Sequence, residues 1–160
     1  MKGRKRHIIV DVNGLVLAAH VHPANIQDRD GGIDLVELHQ DKLRTLRKAW
    51  FDAGYVGRTI DWMRRHMGWD AEVVKRKRRF DQGEWHQLSL GLPRPEPRFE
   101  VLPRRWVVER TFAWFGRCRR MSKDYERLPQ TSEAWIWLSM LHMLVKRLAN
   151  DLAPTYAGAR

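Results

Sequence analysis

Two acidic residues stand where a carboxylate would be chemically useful. Ala49-Trp50-Phe51 is a short apolar run that ends in Asp52 and is followed by Ala53-Gly54-Tyr55. A strand ending at Asp52 would present that side chain at its carboxyl edge, where open α/β sheets bind their ligands. Glu109 lies within Arg104-Arg105-Trp106-Val107-Val108-Glu109-Arg110-Thr111-Phe112-Ala113-Trp114-Phe115. At about 100° per residue its nearest helix-surface neighbours are Arg105, Phe112 and Gly116, with Val108 and Ala113 just beyond. That is an acid on a largely apolar stripe, and burying it is unfavourable unless a cation or metal compensates. Plainer roles are available: Asp52 capping the turn at Gly54, and Glu109 paired with Arg105 one turn earlier. Two carboxylates on a strand end and a helix, beside a basic surface, suggest hard-cation chemistry on phosphodiesters. Mg²⁺ prefers oxygen ligands plus substrate phosphate, and a two-ion site activates the attacking oxygen while stabilising the leaving one.

Other residues offer weaker chemistry. Lys75, Arg76, Lys77, Arg78 and Arg79 form an unbroken basic run that either tracks a nucleic-acid backbone as point charges or is simply solvated, and the basic start from Lys2 to Arg6 has the same two readings. Trp106, Trp114, Trp135 and Trp137 suit stacking on unpaired bases, although aromatic residues at helical spacing are more often core. His20 and His22 share one strand face, but no third metal ligand has matching spacing. Asp28 and Asp30 read as loop and helix-capping residues. Cys118, the single cysteine, reads as a small core residue and excludes an internal disulfide. Glycine-rich phosphate loops and Gly-x-Ser-x-Gly elbows are absent, so ATP and acyl chemistry have no support.

The elements that must position these residues follow from the apolar pattern. Residues 6–12 and 15–21 are partly β-branched runs separated by Asn13-Gly14, which predicts a two-residue hairpin. Pro23 stops the second strand, 28–32 reads as a loop, and a helix is expected over 33–43 with Ile33, Val36 and Leu43 in the core. A strand over 46–52, an amphipathic helix over 56–67 through Ile60, Met63 and Met67, and a strand over 69–74 come next. Residues 75–98, basic and then Pro-rich (Pro93, Pro95, Pro97), read as a long loop. Pro103 precedes an expected helix running to about Arg120, and a last one is expected over 129–150 with Ser or Thr as N-cap and Glu133 in its first turn.

The 160 residues suit one domain spanning 1–160, and 43% hydrophobic residues with eight Trp exclude a disordered chain. A net charge of +11 points to a polyanionic partner, DNA or RNA. Nothing resembles a signal peptide or a membrane span, so a cytoplasmic protein is expected.

The string Lys2-Gly-Arg-Lys-Arg-His-Ile-Ile-Val-Asp11, then Pro23-Ala-Asn-Ile-Gln-Asp-Arg-Asp-Gly31, Asp52-Ala-Gly-Tyr55, Val101-Leu-Pro-Arg-Arg-Trp-Val-Val-Glu-Arg-Thr-Phe-Ala-Trp114, Gly116-Arg-Cys-Arg-Arg120 and Lys123-Asp-Tyr-Glu-Arg-Leu-Pro129 closely resembles the DDE transposases of bacterial insertion sequences. The resemblance runs over about residues 2–150. It implies a ribonuclease H-like fold, a mixed sheet flanked by helices, in which three acids bind two divalent ions, Mg²⁺ or Mn²⁺, to cut and join DNA. In that pattern Asp52 resembles the second acid and Glu109 the third, both metal ligands. Arg105 matches the arginine four residues before the glutamate, a DNA-phosphate contact. The following basic residue of the family falls here on Gly116, with Arg117 the nearest substitute. The first aspartate of the family lies upstream of the Lys-Gly-Arg-Lys-Arg-His string, on a central strand between the hairpin and the strand ending at Asp52, and Asp11 is not its equivalent. The resemblance therefore implies an incomplete triad and a sheet lacking its N-terminal central strand, with two edges left unpaired. The expectation is the catalytic part of a transposase acting on the ends of its own element and on target DNA, a truncated or frameshifted frame or the downstream half of a split enzyme, working as a homo-oligomer or with an upstream transposase half. The alternative is an inactive DNA-binding remnant that regulates a full-length transposase.

Overall fold

The computed structural model describes residues 3–74 and 105–152, with side chains over 106–149 in the second stretch. The basic and Pro-rich 75–98 segment lies outside the described residues. Strands β1 (Arg4–Val10) and β2 (Val16–Pro23) pair antiparallel, Arg4 opposite Pro23 and Val10 opposite Val16, with a register shift between Ile9 and Val10. Asn13-Gly14 turns the chain as expected, but within a three-residue loop. The Asp11 amide donates to the Leu15 carbonyl at 2.9 Å, and the Asp11 carboxylate accepts from the amides of Asn13 and Leu15, each at 2.8 Å. Gly14 has φ of 83°, the left-handed conformation such a loop asks of one residue. Asp11 is thereby committed to the turn.

Both faces of the hairpin are covered, which is why its strands read as apolar runs without clean alternation. Ala18 packs against helix α1 (Asp28–Leu43), in a core cluster with Leu35, Val36, Leu43, Ile60, Met63, Trp69 and Ala71. Ala19 and Val21 face the other way, into a second cluster with Phe115, Met121, Ile136 and Met140. Helix α1 starts five residues before the expected Ile33, with Asp28 and Asp30 in its first turn. Two glycines at 31 and 32 lower helix propensity and suggested a loop. They are used for close approach instead: a Cβ on Gly31 would run into His22 Nε2 and lie 2.8 Å from His7 Nε2, and one on Gly32 would lie 2.7 Å from the Tyr55 ring.

Strand β3 (Lys48–Phe51) leads through a 3₁₀ turn (Ala53–Tyr55) into α2 (Arg58–Trp62), which widens into a π turn (Met63–Met67) before β4 (Asp70–Val73). β3 and β4 run parallel, from Lys48 opposite Asp70 to Phe51 opposite Val73, with α2 as the crossover such pairing needs. Helix α3 (Arg105–Gly116), a 3₁₀ turn (Arg119–Met121) and helix α4 (Pro129–Leu152) complete the described fold. Pro129 takes the first helical position, where its missing N–H is no loss. Ser132, read above as a possible N-cap, lies inside the helix and donates to the Asp124 carboxylate at 2.8 Å. The class is mixed α/β. Its described strands form two separate two-stranded sheets, β1-β2 and β3-β4, and no strand among the described residues joins them into the single mixed sheet expected above.

Candidate active site

Asp52 follows β3 directly and caps the 3₁₀ turn, its Oδ1 accepting the Ala53 amide at 2.7 Å. Strand-end placement and turn capping, set out above as competing roles, coexist in one exposed side chain. Around it lies a neighbourhood that no sequence pattern announced, because its members come from four separate elements. The Tyr55 hydroxyl stands 2.5 Å from His7 Nδ1. Burial, reinforced by the carboxylates of Asp28 and Asp52, pushes that phenol well above its usual range. The Lys5 ammonium, 2.8 Å from Asp28, holds that carboxyl below its usual range.

His7 and His22 stack with ring centroids 4.6 Å apart and planes within 17°. His22 Nδ1 donates to the Pro23 carbonyl at 2.8 Å. Both Nε2 atoms are buried against Gly31, and neither has a hydrogen-bond partner among the described residues. Burial first, and the neighbouring His22 ring second, lower the His7 pKa to about 4. His20 donates to Glu133 at 3.1 Å, and the same carboxylate oxygen accepts the Val21 amide at 2.7 Å. The histidines therefore tie β2 to α1 and α4, and Asp28 and Asp30 belong to the first turn of α1. Among the described residues no three His, Cys, Asp or Glu side chains converge to hold a metal ion.

Glu109 sits on α3, but not as its helical neighbours suggested. The buried row of that helix is Val107, Thr111 and Phe115, and Glu109 is exposed with Phe112 also substantially exposed. An acid there escapes the desolvation penalty that sequence reasoning assigned to it. Thr111 explains the rotation: its hydroxyl donates to the Gly14 carbonyl at 2.8 Å, docking α3 on the hairpin turn, and a Cβ on Gly14 would collide with that hydroxyl and with Trp114. Arg105 opens the same helix one turn before Glu109; its side chain, like Lys75, Arg76, Lys77, Arg78 and Arg79, lies outside the described residues. Arg117 is exposed just past α3, its amide bonded to the Trp114 carbonyl at 3.1 Å.

Asp52 belongs to elements on the first core cluster and Glu109 to a helix on the second. They are two exposed oxygen donors on separate elements, chemically suited to a hard cation, and the described residues do not by themselves complete a two-ion centre. The basic N-terminal strand is also not a free DNA track. Arg4 donates to the Arg127 carbonyl at 2.6 Å and to Ser132 at 3.0 Å, Arg6 donates to the Met121 carbonyl at 3.0 Å, and Lys5 pairs with Asp28. The tryptophans are largely capped by cations: Arg110 lies over Trp106 and Trp114, Arg147 over Trp114, Arg120 over Trp135 and Lys42 over Trp137. Trp106 alone of the four is about half exposed.

Asp52 and Glu109 thus stand on a strand end and a later helix as expected, Glu109 exposed where its helical neighbours suggested burial. Residues 1–144 match the transposase DDE domain model, and the chain belongs to that family. It is similar to a Burkholderia cepacia protein that carries the name transposase for insertion sequence element IS402, with 29% identity over 143 residues, 85% of this chain and 60% of the relative. The chain thus spans about 60% of the length of that relative. No solved structure matches it. Among the described residues no helix is long and apolar enough to cross a membrane.

Proposed function

We propose that this chain carries the catalytic-core portion of an insertion-sequence transposase, with Asp52 and Glu109 as two of three carboxylates that hold divalent ions, Mg²⁺ or Mn²⁺, for cutting and joining DNA. The observation that carries the reading is the family match over residues 1–144 together with the exposure of both acids on the elements expected for them. When bound, such ions would activate the attacking oxygen and stabilise the leaving one. The chain's own contribution is positional. Capping by the Ala53 amide fixes Asp52 at the end of β3, and the Thr111 bond to Gly14 fixes which side of α3 presents Glu109. Arg105, one turn before Glu109, and Arg117 just beyond α3 would meet substrate phosphates, with Lys75, Arg76, Lys77, Arg78 and Arg79 adding charge along the DNA backbone.

In this reading the third carboxylate and a strand joining the β1-β2 and β3-β4 pairs come from outside the described residues, in the same polypeptide or in a partner. The completed sheet would be ribonuclease H-like, and the substrates would be the ends of the element and target DNA. Cleavage and joining of the element's end DNA with Mg²⁺ or Mn²⁺ tests this, for the chain alone and for a version extended upstream, each with Glu109→Gln. Activity that needs the extension and is abolished by Glu109→Gln supports the proposal. Activity indifferent to Glu109 overturns its assignment, and DNA binding without cleavage in any form makes the chain a regulator.

A further inference from the structure

Trp106, Arg110 and Trp114 recur at every fourth position of α3 and stack into one row along it. The Arg110 guanidinium carbon lies 4.3 Å from the centroid of the Trp106 ring and 4.8 Å from that of Trp114, and Arg147, reaching across from α4, lies 4.6 Å from the Trp114 centroid. Indole rings satisfy the faces of a guanidinium and leave its edge, which carries the N–H donors, in need of acceptors. Arg110 finds none within the described fold. Its Nε is buried with no hydrogen-bond partner, and no carboxylate among the described residues pairs with it. Arg4, Arg6, Arg64 and Arg120 differ in this respect, each donating to a carbonyl or carboxylate oxygen. A buried donor left unmade is costly, and packing alone does not account for an arginine here, since a leucine or methionine would fill the space between two indoles without that cost.

We infer that Arg110 is a contact for a DNA phosphate, held ready by the two tryptophans. The inference rests on the reading of this chain as a DNA-acting transposase and adds a contact to those of Arg105 and Arg117. The place of the row on the helix supports it. At about 100° per residue Arg110 stands about 60° from Ala113 and about 100° from Glu109, both exposed, so the guanidinium borders the side of α3 that carries the acid. The chemistry supports it as well. A planar fork matches two phosphate oxygens at once. Arg147 is a second cation against the same Trp114 ring, and two neighbouring guanidinium groups repel unless an anion comes between their edges. Clamping between indoles also removes most of the rotamer freedom of the side chain before DNA arrives, so less is lost on binding.

Fluorescence anisotropy of the full chain with a mixed-sequence DNA duplex of about 20 base pairs is the test, across a range of salt and in EDTA so that metal ions play no part. Arg110→Gln should make the slope of log Kd against log salt shallower by about one and weaken binding by about tenfold. Arg110→Lys keeps the charge but not the fork, and should hold the slope of the parent while losing part of the affinity. Trp106→Leu leaves the charge and takes away one wall, with the same expected result. Arg65→Gln removes one exposed charge from the π turn on the first core cluster and should leave the slope unchanged. An Arg110 that only props α3 against α4 would lower Tm when replaced and leave the salt slope where it was, which overturns the inference. An equal slope change in Arg65→Gln also overturns it, by making the effect one of net charge. Should Arg110→Gln fail to fold, Trp106→Leu decides: affinity equal to the parent overturns the inference, and a loss at constant slope supports it. A parent without affinity for the duplex overturns both this contact and DNA as the substrate, whereas a parent that binds and an Arg110→Gln that binds equally well overturn the contact alone.

Discussion

Replacing glycine by alanine in a helix normally stabilises by up to about 1 kcal/mol, and Gly31→Ala should do the opposite. The added methyl would overlap His22 Nε2 and arrive 2.8 Å from His7 Nε2. Neither ring has an easy retreat: His22 is bonded to the Pro23 carbonyl, His7 to Tyr55, and the two are stacked on each other. Overpacking of this kind costs about 1–3 kcal/mol, and with pinned rings we take the upper end, leaving a net loss of about 2 kcal/mol. For a domain of this size that lowers Tm by about 6 °C. Gly116→Ala, where nothing lies within 4 Å of the added methyl, should instead leave Tm unchanged or raise it slightly. Thermal melts of both variants, and of Gly31→Ala combined with His22→Ala, measure the effect. In the double variant the ring is gone and the Gly31→Ala penalty should largely vanish, a coupling of about 2 kcal/mol. If Gly31→Ala melts at or above the parent, or if its penalty persists without the His22 ring, the account of that packing is wrong.

The buried imidazole also sets a pH window. His7 titrates at about 4 in the fold against 6.5 for the free side chain, so as pH falls the unfolded chain takes the proton first. Its contribution, up to about 3 kcal/mol, is intact above pH of about 6.5 and declines down to about 4. Urea midpoints across that range should fall for the parent and flatten for His7→Gln; equal slopes would remove His7 as the cause. Thr111→Val keeps the shape but strands the Gly14 carbonyl, and should destabilise by about 1–2 kcal/mol in a denaturant titration. A neutral outcome would mean that α3 is held on the turn by packing alone.

Periodicity was legible wherever an element buries one face. The hairpin, the core residues Ile33, Val36, Leu43, Ile60 and Met63, and the last helix all stood out in the sequence and are buried or placed as expected. It failed where tertiary contact reverses a local preference. Gly31-Gly32 looks like a loop until the stacked histidines fill the space a Cβ would take. Thr111 looks indifferent until its hydroxyl meets Gly14 from 97 residues away, and that bond decides that Glu109 faces solvent. Asp52 was readable because strand and turn are adjacent in sequence. Its surroundings were not, since Lys5, His7, His22 and Asp28 reach Tyr55 only through the fold. Likewise the basic start looked like a nucleic-acid track because sequence shows charge and not the carbonyls that Arg4 and Arg6 already serve.

The two core clusters have very different histories in a growing chain. Every member of the first lies between Ile9 and Val73, whereas the second joins residues 8–21 to residues 115–144. A ribosome releasing the chain from its N-terminus would let α1, α2 and the strands settle on one face of the hairpin while Val16, Ala19 and Val21 still wait for Phe115, Ile136 and Met140 to be made. At about 5–20 residues per second the wait lasts several seconds, long enough for an uncovered apolar hairpin face to be met by a chaperone or by another nascent chain.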